Sequence, residues 1–166
     1  MRSSALVLPS LLLALGVSSC GRGAAAPGAG DCDLAAVGPL IGYSYDLAPP
    51  AAASGGTIED GTYDLTQIIE HGKASGPSSS NTAPAFRWAL RFTTDERSPN
   101  HAEGRMVMAI NLPPASTCDG GRFATIGTEL RTLSKKPELG SEQYSATPDG
   151  VTILTKGTTY VFHRRP

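Results

Sequence analysis

Phe86-Arg87-Trp88-Ala89-Leu90-Arg91-Phe92-Thr93 decides the fold of this chain. Its large apolar residues fall at every second position, with arginines, an alanine and a threonine between them. Successive side chains of an extended strand point to opposite faces, so a period of two predicts a strand with one covered and one solvated face. Arg105-Met106-Val107-Met108-Ala109-Ile110-Asn111-Leu112 repeats the pattern. The polar stretch 94–104 joins the two runs, and Pro113-Pro114 ends the second, because proline cannot donate to a ladder.

Working outward, the other segments read the same way. Asp60-Gly61 is a turn signal, and Tyr63 and Leu65 open an alternating run. Ile68-Ile69 breaks the alternation and predicts a bulge or a strand end near His71-Gly72. A Ser/Gly/Pro loop over 73–84 is long enough to be a flap or the mouth of a site. Cys118-Asp119-Gly120-Gly121 reads as a turn, and 123–133 as one longer strand bent at Gly127. Residues 144–147 and 151–155 flank Pro148-Asp149-Gly150 as a hairpin, and Lys156-Gly157 turns the chain into a last strand through His163. Ile41, Tyr43, Tyr45 and Leu47 alternate with small or polar residues and predict a further short strand. No segment after the leader carries helical periodicity with caps. About seven strands, or eight with 41–47, follow one another through short connections. They predict an all-β, up-and-down antiparallel barrel of lipocalin-like type, with a β-sandwich as the alternative.

The 166 residues suffice for one domain. Arg2, an apolar run from Ala5 to Gly16 and the small residues Val17-Ser18-Ser19 make a signal-peptide pattern directly before Cys20. Its apolar core is shorter than the roughly 20 residues that span a bilayer. Removing it takes away one basic and no acidic residue, which moves the formal net charge from −1 to −2. That balance gives no reason to expect nucleic acid as a partner. Residues 21–30 are Gly, Ala and Pro with one arginine, which cannot offset their own ordering entropy and read as a tether. The organisation expected is a leader over 1–19, a tether over 20–30, a short strand and Ala/Pro/Gly linker over 31–56, and the β domain over 57–166.

Val17-Ser18-Ser19-Cys20 resembles a bacterial lipobox, which implies a lipidated Cys20 as the mature N-terminus and a membrane anchor through its acyl chains. The alternative is an ordinary cleaved leader in which Cys20 is incidental. By the same resemblance, Gly21 after the cysteine, where aspartate would signal retention, implies the outer membrane of a Gram-negative envelope. Lipidation of Cys20 would resolve the odd count of three cysteines by leaving Cys32 and Cys118 as a disulfide pair. Two free buried cysteines are the alternative, less suited to an oxidising compartment. The stretch Gly55-Gly56-Thr57-Ile58-Glu59-Asp60-Gly61-Thr62-Tyr63-Asp64-Leu65-Thr66, with Cys118-Asp119-Gly120 and Tyr160-Val161-Phe162, resembles small bacterial lipoproteins of uncharacterised function over about 55–165. There is a looser likeness to lipocalin-like barrels, with Tyr63 standing where their Gly-x-Trp tryptophan would be. These resemblances imply an architecture and a location, and no activity.

The candidate chemistry is sparse. His71, His101 and His163 lie in different segments, and no Gly-x-Ser-x-Gly or HExxH motif accompanies them, so an enzyme is not expected. His101-Ala102-Glu103 lacks a third ligand, and the acidic pairs match no calcium loop, so neither metal nor cofactor is expected. Tyr63, Trp88, Phe92, Met106, Met108 and Phe123 are the candidate lining of an apolar ligand cavity, although a small barrel can be filled by its own side chains. Arg87, Arg91 and Arg105 are the candidate face for an anionic partner, against the alternative of a solvated outer surface. The functions expected are therefore binding of an apolar or amphipathic small molecule by a lipid-anchored envelope protein, or a structural role in the envelope through protein contacts.

Overall fold

The computed structural model describes residues 33–74, 85–112, 115–133 and 141–166. Nine strands follow in chain order: β1 (Tyr43–Asp46), β2 (Gly61–His71), β3 (Arg87–Thr94), β4 (Glu103–Leu112), β5 (Ala115–Ile126), β6 (Glu129–Leu133), β7 (Ser141–Thr147), β8 (Gly150–Thr155) and β9 (Thr158–Arg164). From β2 to β9 each strand pairs antiparallel with the next, and β9 returns to pair with β2 from Tyr63↔Arg164 to Glu70↔Thr158. The sheet is thus a closed ring of up-and-down strands, the architecture expected from the alternation. Closure gives each of these strands a neighbour on both sides over at least part of its length, which limits the exposed edges that invite aggregation, although Ala115–Gly121 of β5 pairs only with β4 among the described residues.

The register sorts the side chains. Phe86, Trp88, Leu90 and Phe92 face inward beside Ile110, Met108 and Met106 of β4. Tyr63, Leu65, Phe92, Phe123, Leu130, Val151 and Phe162 are buried and pack into one core. Phe92 makes edge-to-face contacts with Tyr63 at 5.8 Å and with Phe123 at 5.2 Å between ring centroids. That geometry sets the positive ring edge on the negative ring face and adds to the burial of each ring.

Two local expectations are corrected. Cys118-Asp119-Gly120-Gly121 is not a turn: it lies inside β5, paired with Ala109, Met108, Val107 and Met106. The unbroken ladder of β4 supplies a partner for each residue there, and this outweighs the local turn preference of Asp-Gly-Gly. The run 123–133 is two strands and not one, reversed at Gly127, whose φ of 60° lies in the left-handed region that glycine adopts without strain. β2 ends at His71, where the sequence placed a bulge or a strand end, and it carries a bulge between Leu65 and Gln67. After it, Ile68 and Glu70 face inward.

The segment before β2 completes the wall. β2 meets β3 only from Gly61 to Asp64, and beyond that β1 lies parallel to Ile68–His71. Ile41 and Phe86 exchange both backbone hydrogen bonds, at 3.0 and 3.2 Å, so the gap between β2 and β3 is filled. Upstream, residues 33–40 form a strap across the outside of the barrel. Leu34 is buried there with Ala89, Val107 and Ala109, outward-facing side chains small enough to admit it. Arg87 Nε donates to the Gly38 carbonyl at 2.7 Å, Arg91 holds Asp33 at 2.5 Å, and Arg165 donates to the Ala35 carbonyl at 2.8 Å.

Candidate functional site

The two halves of the barrel interior differ. At the lower end, where β2 and β4 begin and β3 and β9 end, the inward side chains are sealed: Tyr63, Phe92, Phe123 and Phe162 have at most 1% of their surface exposed. Ile58, also buried, lies just ahead of β2 at this end and packs on the same core. The Tyr63 hydroxyl donates to the Glu59 carbonyl at 2.7 Å and the Tyr144 hydroxyl to Gly56 at 2.7 Å, which ties the chain ahead of β2 to the core. Burial pushes the Tyr63 phenol above its ordinary pKa.

At the upper end the inward side chains keep partial contact with solvent. Tyr43, Glu70, Trp88, Met108, Ile110, Glu142, Ile153 and Tyr160 are all half-buried. The half of the interior toward this rim, the upper cup, is thus less enclosed than the floor. The registers lay out its wall in two tiers. Tyr43, Ile68, Tyr160, Ile153 and Tyr144 are neighbours across successive strands. One pleat nearer the rim come Tyr45, Glu70, Thr158 and Thr155. Glu142, two residues before Tyr144, shares its face and projects at the level of that upper tier.

Trp88 stands between this cup and the floor. Its indole contacts Tyr160 at 5.2 Å and Phe162 at 5.3 Å, both edge-to-face, and its Nε1 is enclosed without a hydrogen-bond partner. An enclosed N–H without an acceptor costs about 1–3 kcal/mol, which makes this indole the least satisfied group on the wall. Burial is the main cause that raises the Tyr160 phenol pKa, with Tyr43, Glu70 and Glu142 adding to it. Lys73 Nζ binds Glu70 Oε2 at 2.6 Å at the same rim.

The candidate lining residues are thus divided. Tyr63, Phe92 and Phe123 belong to the filled floor, whereas Trp88, Met106 and Met108 are partly buried and pack on that core from the wall. Arg87 and Arg91 face outward and hold the strap. Arg105 is also on the outer face, opposite Thr93 and Arg122. Cys118 packs beside Leu34 and Ala36, while Cys20 and Cys32 lie outside the described residues, as does most of the expected loop over 73–84. The histidines are held apart. His71 bonds the Ala48 carbonyl and Thr159 at 2.9 Å each, His101 bonds Thr94 at 3.0 Å, and His163 is exposed opposite Asp64. Tyr43, Glu70, Glu142 and Tyr160 are the wall residues that sequence reasoning misses. The signal available was period two counted from Ile68 and from Tyr144.

A concavity of about 830 Å³ opens at the lower rim between Gly61, Pro148, Asp149 and Arg164. Its arginines are engaged: Arg164 donates to the Asp60 carbonyl, and Arg165 grips Asp64. Among the described residues there is no group of three or more metal-ligating side chains, and no helix is long and apolar enough to cross a membrane. No protein-family model, curated protein or solved structure matches this chain.

Proposed function

We propose that this protein is a lipid-anchored binding module that takes an apolar or amphipathic small molecule into the upper cup of its barrel. The observation that carries the proposal is the contrast within one inner wall: floor residues are sealed, while Trp88, Met108, Ile110 and Tyr160 are only half-buried. Apolar and aromatic side chains left half-buried inside a concave wall are the ordinary lining of a small-molecule site. Burying one ligand methylene there contributes about 0.8 kcal/mol, so a short alkyl chain is enough for measurable binding. Native mass spectrometry of the protein purified from its host tests this. A co-purified small molecule is expected, and its absence together with a chain that binds no alkyl amphiphile would reject the proposal.

The anchor belongs to the same proposal. It rests on the lipobox-like Val17-Ser18-Ser19-Cys20 and on the Gly/Ala/Pro tether after it. A Cys20→Ser chain should leave the membrane fraction, and one that stays membrane-bound would overturn the anchoring. The proposed pairing of Cys32 with Cys118 is supported by the packing of Cys118 against Leu34, two residues after Cys32. An alternative role in envelope assembly would need a free arginine face or a free sheet edge. Arg87 and Arg91 are occupied by the strap, and among the described residues of β2 to β9 only Ala115–Gly121 of β5 lacks a second strand neighbour over a long stretch.

A further inference from the structure

We infer that the cup selects amphiphiles with a cationic, ammonium-type head, the alkyl part lying on Trp88, Met108 and Ile153 and the head meeting Glu142 and the tyrosines of the rim. This rests on the proposed binding role and names the ligand class for it.

The reasoning follows from the tiers of the wall. The deeper tier is mainly apolar and aromatic: Tyr43, Tyr160 and Ile153 share the inward face, and Tyr160 lies against the Trp88 indole. The tier nearer the rim carries Tyr45, two threonines, and the carboxylates of Glu70 and Glu142 on the same inward face. An amphiphile that enters tail first therefore places its head among carboxylates and phenol rings. Ring faces carry negative charge and attract ammonium groups, by about 0.5–1 kcal/mol where exposed and about 2 kcal/mol where desolvated. An anionic head would meet like charge at the same depth.

Glu70 already demonstrates the preference, since it holds an ammonium of the chain itself, that of Lys73, at 2.6 Å. Glu142 is different. No ion pair joins it among the described residues, although it is half-buried and close enough to raise the Tyr160 phenol pKa. Asp119, on the inward face opposite Met108, likewise has no ion pair among the described residues, so Glu142 and Asp119 are the carboxylates left to receive a ligand cation. The other described cation of this rim, Lys156, sits in the β8–β9 turn outside the two tiers, and its φ of 48° belongs to that turn.

The chain contains one tryptophan, so its emission reports this site alone. The experiment uses the full chain carrying Cys20→Ser, titrated below micelle concentrations with octyltrimethylammonium, octyl sulfate and octyl glucoside. The ammonium amphiphile should bind at least about five-fold more tightly than the other two, and Glu142→Gln should remove most of that advantage. Glu142→Gln keeps the shape of the side chain, and an unchanged thermal transition would certify its fold. Equal affinity for all three amphiphiles, or a preference for the sulfate, would overturn the head-group inference while leaving the cup as a binding site. No change in Trp88 emission with any of them would overturn the cup itself, and the inference with it.

Discussion

Asp64 grips Arg165 through two parallel hydrogen bonds, Nε to Oδ2 and Nη2 to Oδ1, each 2.6 Å long. Asp64 is in β2, Arg165 directly follows β9, and these are the two strands that close the ring. The same guanidinium also donates to the Ala35 carbonyl of the strap. One planar cation thus joins the first and last strands of the ring to the segment that crosses its outer face. Bidentate pairing of this kind is stronger than a point contact between charges.

Arg165→Ala and Asp64→Asn should each destabilise the fold, by about 1 kcal/mol after allowance for the solvent that reaches the pair. Urea unfolding of the single and double variants checks this. The double variant should lose less than the sum of the two, because both remove the same contact. Strict additivity would mean that the pair contributes nothing as a pair.

Acid should release the strap before it unfolds the barrel. The hydrogen bond and the charge of Arg91 hold the Asp33 carboxyl below its usual pKa. A depressed carboxylate pKa contributes stability above the ordinary, unfolded value and loses it as pH falls through the folded one. Amide exchange over 33–41, corrected for intrinsic rates, should be level at neutral pH and rise only below about pH 4. Asp33→Asn should raise exchange at neutral pH and abolish the acid dependence.

Gly104 and Gly121 should respond oppositely to alanine. A Cβ at Gly104 would press on the Thr93 carbonyl and lie 2.8 Å from Thr94 Cα, both backbone atoms that cannot swing away. Gly104→Ala should cost about 1–3 kcal/mol or more by overpacking. A Cβ at Gly121 meets nothing within 4 Å. Gly121→Ala should be neutral or stabilise by up to about 1 kcal/mol, since strand glycine is costly to order. Thermal melts of the two proteins decide the matter.

Phe123→Ala should destabilise by about 3–5 kcal/mol, because its ring is fully enclosed against Phe92 and the cavity left behind cannot fill with water. Met108→Ala, at the half-buried wall, should cost less and should weaken amphiphile binding. Denaturant midpoints and Trp88 titrations measure the two effects separately.

Reductant should lower stability if Cys118 and Cys32 are paired, by about 2–5 kcal/mol in keeping with bridges that close long loops. A Cys32→Ser chain should show the reduced midpoint with or without reductant. An unchanged midpoint for the reduced native chain would refute the pairing.

The strands β3 and β4 were legible in the sequence because large and small side chains alternate there without interruption, and one period of two fixes which face is inside. The hairpin of β7 and β8 was legible for its Pro-Asp-Gly turn. What escaped was decided by contacts distant in the chain. Cys118 to Gly121 has turn chemistry and is nevertheless extended, because β4 offers it a partner at every position. Arg87 and Arg91 look solvated in the sequence, yet the small residues between and beside them form a bed for Leu34. Glu70 was hidden by the bulge after Leu65, which turns it inward, and Glu142 because β7 begins three residues earlier than the strand read from Tyr144.

The parallel strand β1 has a kinetic consequence. Ring closure joins Asp64 to residues about a hundred positions later, and β1 can settle only against a β2 and a β3 that are already aligned. A chain made from its N-terminus therefore carries its own wall segment unseated until β2 and β3 have been made and aligned. Such distant pairings make folding slow, on the order of milliseconds to seconds, with the loop entropy spent before the contacts return it. Residues 41–46 should accordingly be among the last to gain protection during refolding, although they are among the first to be synthesised.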